Sequence, residues 1–351
     1  MSDPEAREAT VLATIRERRE IVNEAIPEEI PIQTPERLYE ASRYLLDAGG
    51  KRLRPTISLL VAEALADVEP GTEDYREFPT LSTEFPQIDV LSSAVSVEVI
   101  QSFTLIHDDI MDDDDLRRGV PAVHREFDLE TAILAGDTLY SKAFEIMLGT
   151  GAADERSVRA LDVLARTCTE ICEGQALDVE FEDRDDVAVE EYLHMIEQKT
   201  AVLYGAAASL PAVLMGADDE TVDALYQYGL DVGRGFQIQD DVLDLTVPSE
   251  KLGKQRGSDL VENKRTLITL HAREQGVDIA DLVETDSVEA VTEAEIDDAV
   301  ATLQEAGSIE FARERAEGLV ESGKAHLEVL PDNEARELLE QTADYLIERG
   351  Y

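Results

Sequence analysis

The chain has no tryptophan, two cysteines and seven lysines among its 351 residues. Cys168 and Cys172, one helical turn apart in TCTEIC, argue against a disulfide framework and read as core thiols in a reducing compartment. The five histidines show no HExxH or comparable ligand spacing, so a zinc site has no support. Positive charge is scarce: 31 Lys and Arg face 78 Asp and Glu, for a net charge of −47. That balance argues against a basic patch for nucleic acid or an anionic membrane. No apolar run reaches the roughly 20 residues a membrane span needs. The longest, residues 201–217, is interrupted by Ser209 and Pro211 and reads as a buried helix followed by a turn. The opening MSDPEAREAT is polar and acidic, without the pattern of a signal peptide. A soluble, cytoplasmic protein with no stable membrane insertion is expected. No Gly/Ser/Pro linker or composition break divides the chain, so a single domain over residues 1–351 is expected as well.

What the chain does have is acid spread along its whole length with 43% apolar residues. This combination gives a folded core under a very acidic surface. A dispersed acidic, lysine-poor surface suits a protein kept soluble in high salt, where screening shrinks the reach of charge to a few ångströms; it reads as the protein of a halophile. Apolar residues recur at three- and four-residue spacing in ERLYEASRYLLDAG, EEYLHMIEQKTAVLYGAAASL and DALYQYGLDVGRGFQIQDDVLDL. Period-2 runs are scarce. The expected architecture is all-α, ten or more helices around a central cavity. It would begin with an N-terminal helix within 1–35 and carry a long polar surface loop over about 67–89. Gly49–Gly50, Gly119–Val120–Pro121, Gly149–Thr150–Gly151, Pro211, and Pro248 with Gly253 and Gly257 mark connections.

Two acidic signatures carry the chemistry, DDIMD from Asp108 and DDVLD from Asp240. In each, carboxylates at i and i+4 lie on one face of a helix. Two such helices facing a cavity would hold hard divalent cations through oxygen, and Mg²⁺ completes its shell with water and substrate phosphates. With 34 aspartates, chance alone would give roughly a third of a DDxxD match, so the flanks decide. Gln237, Asp240, Asp241 and Asp244 form one polar stripe embedded among Ile238, Val242 and Leu243, unlike a solvated acidic face. Asp108, Asp109 and Asp112 follow the apolar VSVEVIQSFTLI. Asp113, Asp114 and Asp115 read equally well as a solvated helix end. Four of the seven lysines fall in punctuated motifs: Lys51 in GGKRLRP, Lys199 in QKT, Lys254 in LGKQRGSDL and Lys264 in NKRT. Arg54, Arg117 and Arg118 add guanidinium forks suited to phosphate oxygens.

In this order, GGKRLRP, LIHDDIMDDDDLRRG, AILAGDTLYSKAFE, CEGQALD, EQKTA, GRGFQIQDDVLDL and LGKQRGSDLVENKRT resemble the trans-polyprenyl diphosphate synthase family, over residues 36 to 270 or so. Archaeal, and specifically haloarchaeal, geranylgeranyl diphosphate synthases look most similar. The resemblance implies the isoprenoid synthase fold and head-to-tail condensation of isopentenyl diphosphate with dimethylallyl, geranyl or farnesyl diphosphate. It implies a homodimer and two or three Mg²⁺ per site, with Mn²⁺ as a substitute. Asp108, Asp112 and Asp240 would bind metal, supported by Asp109, Asp241 and Asp244. Arg117, Lys199, Thr200, Gln237, Lys254 and Lys264 would hold the allylic diphosphate, and Lys51, Arg54, Gln101 and Arg118 isopentenyl diphosphate. Asp108, Asp112, Asp240, Lys199 and Arg117 would form the catalytic set. Gln101 stands where many members have His, and Asn263 replaces the usual glycine before the NKRT lysine. Phe103, five residues before Asp108, resembles the stopper that limits chain length to twenty carbons, with farnesyl diphosphate as intermediate or second product. An ideal helix places it about 7.5 Å deeper and roughly 140° around from Asp108, while Thr104 and Gln101 share the Asp108 face more closely. A class I terpene cyclase or a squalene/phytoene-type synthase would share the Asp-rich helices but need no isopentenyl diphosphate site. A non-catalytic regulatory member would tolerate loss of Asp108 and Asp240.

Overall fold

The structure, a computed structural model, describes residues 4–182, 184–249, 256–283, 285 and 290–348. Helix dominates: α1 (Pro4–Glu29), α2 (Glu36–Asp47), α3 (Leu53–Ala66), α4 (Val90–Met111), α5 (Val123–Glu126), α6 (Leu129–Leu148), α7 (Asp154–Glu182), α8 (Val189–Ile196), α9 (Val202–Met215), α10 (Asp219–Thr246), α11 (Ser258–Val261), α12 (Leu267–Glu274), α13 (Glu293–Glu305), α14 (Ser308–Ala325) and α15 (Glu334–Glu348). Among the described residues, strand is confined to two small antiparallel hairpins, β1 (Phe78–Pro79) with β2 (Gln87–Ile88) and β3 (Leu116–Arg117) with β4 (Val120–Pro121). The all-α expectation holds. The chain divides into two compact units: Met1–Cys168, Gly205–Tyr226 and Leu327–Thr342 form the first, and Thr169–Tyr204, Gln227–His326 and Ala343–Tyr351 the second.

In the first unit α4 is the central element. Asp89 caps it, its side chain accepting from the Ser92 amide at 2.7 Å, which satisfies one of the helix's orphan N–H groups. Val95, Val99, Ile100 and Ile106 are buried, each worth roughly 1.5–3 kcal/mol of burial, and the helix packs along α6 and against α3. By length and composition α4 is apolar enough to cross a membrane, but 78% of its most apolar window is covered by the protein itself.

One expectation, the break at Pro211, is corrected in this unit. The polar stretch 67–89 is largely exposed but does not hang free: Tyr75 and Phe78 are buried and stack on each other. The Tyr75 hydroxyl donates to Glu63 at 2.6 Å, and both Glu63 oxygens also accept from one guanidinium nitrogen of the buried Arg18. Two aromatic rings in an otherwise hydrophilic stretch are enough to pull it onto the core. Pro211 does not break its helix, since α9 runs through it. The carbonyl that a proline leaves without a helical donor is the one four residues back. That carbonyl, of Ala207, accepts from the Ser58 hydroxyl at 2.7 Å. Cys168 is buried as expected on α7, but Cys172 is exposed.

The second unit is built on a continuous apolar core that includes Phe181, Tyr192, Ile196, Ile238, Val242, Leu260, Ile268 and Ile296. Between α8 and α9 the chain takes a π-helical turn, Glu197–Ala201. Such bulges are rare and concentrate at functional sites; this one carries Lys199 and Thr200.

Candidate active site

In the first unit Asp108 and Asp109 occupy the last turn of α4, and Asp112 is its C-terminal cap residue. Carboxylates here meet the negative end of the helix dipole, and the last turn contains no basic residue. Asp109 is fully buried. Burial pushes its carboxyl above the ordinary aspartate value, and Arg117 opposes that rise. Arg117 bonds Oδ1 at 2.5 Å and reaches Asp114 at 2.8 Å, while Oδ2 is a buried acceptor without a hydrogen-bond partner. Asp113 and Asp115 are largely exposed and both pair with Arg125 at 2.8 Å, so the acidic run after the helix anchors an arginine.

Arg118 and Gly119 both have positive φ between paired Arg117 and Val120, the geometry of a two-residue type I′ hairpin turn. The turn aims Arg118 inward. Its guanidinium donates to Leu45 O at 3.1 Å, to Gly49 O and to Glu98 at 3.3 Å. Arg118 therefore braces the GGKRLRP loop, whose Lys51 is exposed and whose Arg54 is half-buried. Gln101 is half-buried on α4, and Thr104 turns back to donate to its carbonyl at 2.9 Å. Phe103 is buried, edge-on to His107 and to Tyr140 of α6.

In the second unit Asp240, Asp241 and Asp244 lie in the last two turns of α10, again with no basic residue in the last turn. The embedded polar stripe is confirmed: Ile238 and Val242 are fully buried, and Asp241 and Asp244 nearly so. A hydrogen-bonded chain orders it. Thr200 donates to Gln237 at 2.9 Å, Gln237 donates to Asp241 at 3.0 Å, and Tyr192 donates to the other Asp241 oxygen at 2.7 Å. Burial raises the Asp241 carboxyl well above its usual range, and neighbouring Asp259 adds to the rise. Asp244 accepts from the Ser258 hydroxyl at 3.0 Å and the Asp259 amide at 3.3 Å, which ties α11 to the stripe.

A cavity of about 100 Å³ opens here, lined by Asp178, Lys199, Thr200, Gln237, Asp241, Asp259 and Lys264 among others. Lys199 pairs with Asp178 at 2.5 Å, and Lys264 lies 3.3 Å from Glu262. The Asn263 that replaces the expected glycine sits at φ 59°. This is left-handed backbone, which Asn tolerates better than most residues. Asn263 thus holds a turn of the kind glycine favours, and Lys264 follows it at the cavity. Lys254 lies outside the described residues.

Asp178, Tyr192 and Asp259 escaped the sequence reading. The first stands in CEGQALD and the last in GSDL, two elements already singled out, whereas Tyr192 carries no signal of its own. Gly174 of CEGQALD has a clear reason to be glycine. A β-carbon there would lie 2.2 Å from the Lys199 amide nitrogen and 2.7 Å from the Gln198 carbonyl carbon. Backbone atoms cannot yield as a side-chain tip can, so Gly174→Ala must push the π turn away. The expected result is a loss of about 1–3 kcal/mol of stability together with a higher KM for the allylic substrate. Melting curves and steady-state kinetics check this against Gly318→Ala, where nothing lies within 4 Å of the new methyl.

The carboxylates suit Mg²⁺. Among the described residues no three acidic, His or Cys side chains converge to enclose a metal alone. One or two carboxylates completed by water and substrate phosphate are the usual Mg²⁺ arrangement, and the open Oδ2 of Asp109 and the dipole-opposed carboxylates of both helices call for cations.

Acidic helix ends supplied with lysine and arginine for phosphate oxygens are the equipment of an enzyme that activates an organic diphosphate. Residues 35–303 match the family described as Polyprenyl synthetase, and the chain belongs to that family of prenyl-transferring enzymes. It is 73% identical over 341 residues to the geranylfarnesyl diphosphate synthase of Natronomonas pharaonis, covering 97% of this chain and 98% of the relative. The solved geranylgeranyl pyrophosphate synthetase of Geoglobus acetivorans is 46% identical with a TM-score of 0.83, over 95% of this chain and 99% of that one. A Corynebacterium glutamicum geranylgeranyl pyrophosphate synthase, solved with isoprenyl diphosphate and magnesium, is 29% identical with a TM-score of 0.76, over 97% and 99% of the two chains.

Proposed function

We propose that this protein condenses isopentenyl diphosphate head-to-tail with allylic diphosphates to give geranylgeranyl diphosphate, and that residues 1–351 work as one polyprenyl synthase domain. The observation that carries the reading is the repeated one: a long helix in each unit ends in carboxylates with no basic residue in its last turn. Asp108, Asp112 and Asp240 are the proposed Mg²⁺ ligands, Asp109, Asp241 and Asp244 their supports. Bound Mg²⁺ supplies charge neutralisation for the departing diphosphate. Lys199, Thr200, Gln237, Lys264, Lys254 and Arg117 hold the allylic diphosphate; Lys51, Arg54, Gln101 and Arg118 serve isopentenyl diphosphate, Arg118 by bracing its loop. Cleavage of the allylic C–O bond sends the electron pair out with diphosphate. The double bond of isopentenyl diphosphate then attacks the allylic cation, and transfer of a proton to the released diphosphate restores an alkene. The reaction requires that water, which would quench the cation, be kept from the reacting carbons.

The Natronomonas relative's name favours a second product reading, the twenty-five-carbon geranylfarnesyl diphosphate. Radiolabelled isopentenyl diphosphate with dimethylallyl, geranyl or farnesyl diphosphate, followed by chromatography of the dephosphorylated alcohols, decides. A twenty-carbon alcohol supports the main reading, a twenty-five-carbon one the second. Product formed without isopentenyl diphosphate would indicate a cyclase or head-to-head synthase instead.

We also propose a cytoplasmic homodimer adapted to high salt. On a chain carrying −47, α6 exposes Leu129, Ile133, Leu134, Tyr140 and Leu148, a surface suited to a second copy. Leu134→Glu is expected to weaken self-association by about tenfold or more, read as monomer in sedimentation velocity at concentrations where the parent is dimeric.

A further inference from the structure

We infer that Glu98 is a positioning residue for isopentenyl diphosphate, locking together the two turns that present the cations of that site. This rests on the assignment of Lys51 and Arg54 to that substrate. Glu98 is a buried acid in the apolar stretch of α4. It receives Arg52 at 2.5 Å and Arg118 at 3.3 Å, both on Oε1. These two arginines share a second property: each holds a left-handed backbone, Arg52 at φ 53° and Arg118 at φ 54°. Non-glycine residues keep that conformation only where their surroundings over-determine it.

The surroundings are visible. Arg52 also donates to Asn23 at 2.9 Å and to Leu46 O at 2.6 Å, and Arg118 holds Leu45 O and Gly49 O. A β-carbon on Gly50 would meet the Arg118 guanidinium carbon at 3.0 Å, at a φ of +146°. Lys51 lies between Gly50 and Arg52, and Arg54 follows two residues later. Arg117, which grips Asp109, immediately precedes Arg118. One carboxylate thus fixes the turn before Arg54 and the turn after Arg117. Without it, two guanidinium groups would face each other with no carboxylate between them, and each turn would keep only its amide and carbonyl acceptors.

The test is steady-state kinetics of Glu98→Gln, which keeps shape and removes charge. The expected result is a KM for isopentenyl diphosphate raised about tenfold or more, with the allylic KM changed less than threefold. Arg52→Lys, which keeps the charge but gives up the fork shared among Glu98, Asn23 and Leu46 O, is expected to give the same split and decides the matter if Glu98→Gln fails to fold. Lys51→Ala is run alongside. If it leaves the isopentenyl diphosphate KM unchanged, the substrate assignment fails, and the inference with it. If Lys51→Ala raises that KM while the decisive variant does not, or while both KM values rise together with a lowered melting temperature, the positioning role is overturned and the assignment stands.

Discussion

Alanine at Asp108, or at Asp240, is expected to lower kcat by on the order of 10²–10³-fold, the size of effect that removing one preorganised electrostatic contact produces. The fold should survive both changes. Each carboxylate lies near the C-terminal end of its helix, where it opposes the helix dipole and no basic residue compensates in the last turn. Removing it relieves an unfavourable helix-dipole interaction of about 0.3–1 kcal/mol and, at Asp108, gives up an attraction to Arg117, so the melting temperature without Mg²⁺ should change little. Loss of activity with retained or improved stability marks a group kept for chemistry rather than for folding. Asp109→Ala should behave differently. Its carboxylate is buried and holds Arg117, and truncation would leave that arginine with the half-exposed Asp114 as its remaining acid, so stability should fall with activity. Full activity in Asp108→Ala and Asp240→Ala would remove the case for an enzyme of this mechanism.

Phe103→Ala is expected to lengthen the product by one or more isoprene units. The ring is buried on α4, with centroids 5.0 Å from His107 and 5.4 Å from Tyr140, and Tyr140 continues to Phe144 at 5.2 Å. Removing the first ring of this aromatic run leaves space that the surrounding helices fill only in part, at a stability cost of about 3–5 kcal/mol. A growing prenyl chain is apolar and flexible enough to occupy such space, and its binding would recover part of that loss. Thr104→Ala should shift the product less, because the Thr104 hydroxyl is already folded back on the Gln101 carbonyl. Chromatography of the released alcohols reads both variants. An active Phe103→Ala enzyme with an unchanged product would end the stopper role without touching the wider assignment.

What the sequence disclosed and what it withheld divide along physical lines. The Gln237–Asp244 stripe was legible because a helix repeats every 3.6 residues and the apolar residues between the acids must be covered. Lys199 was legible because the chain spares so few lysines. The π turn that carries it was not, since an inserted residue leaves no periodic trace and shows only in the glycine its backbone requires at position 174. The continuation of α9 through Pro211 depended on Ser58, a donor far away in the chain that no local rule anticipates. Glu98 in VSVEVIQ gave no hint of its role because its partners, Arg52 and Arg118, come from two separate turns. Lys264 shows the opposite case: Asn263 departs from the family pattern in residue type yet holds a left-handed backbone, the region that favours glycine, which only φ reveals.

The proposed function requires that the carboxylates ending α4 and α10 serve one diphosphate as a unit. A double-mutant cycle on Asp108→Ala and Asp240→Ala, in a single-turnover assay with labelled isopentenyl diphosphate, tests it most directly. Groups that act as a unit are strongly non-additive, so the double variant should be slower than the worse single variant by no more than about threefold. Losses that multiply would show two independent contributions and contradict the account.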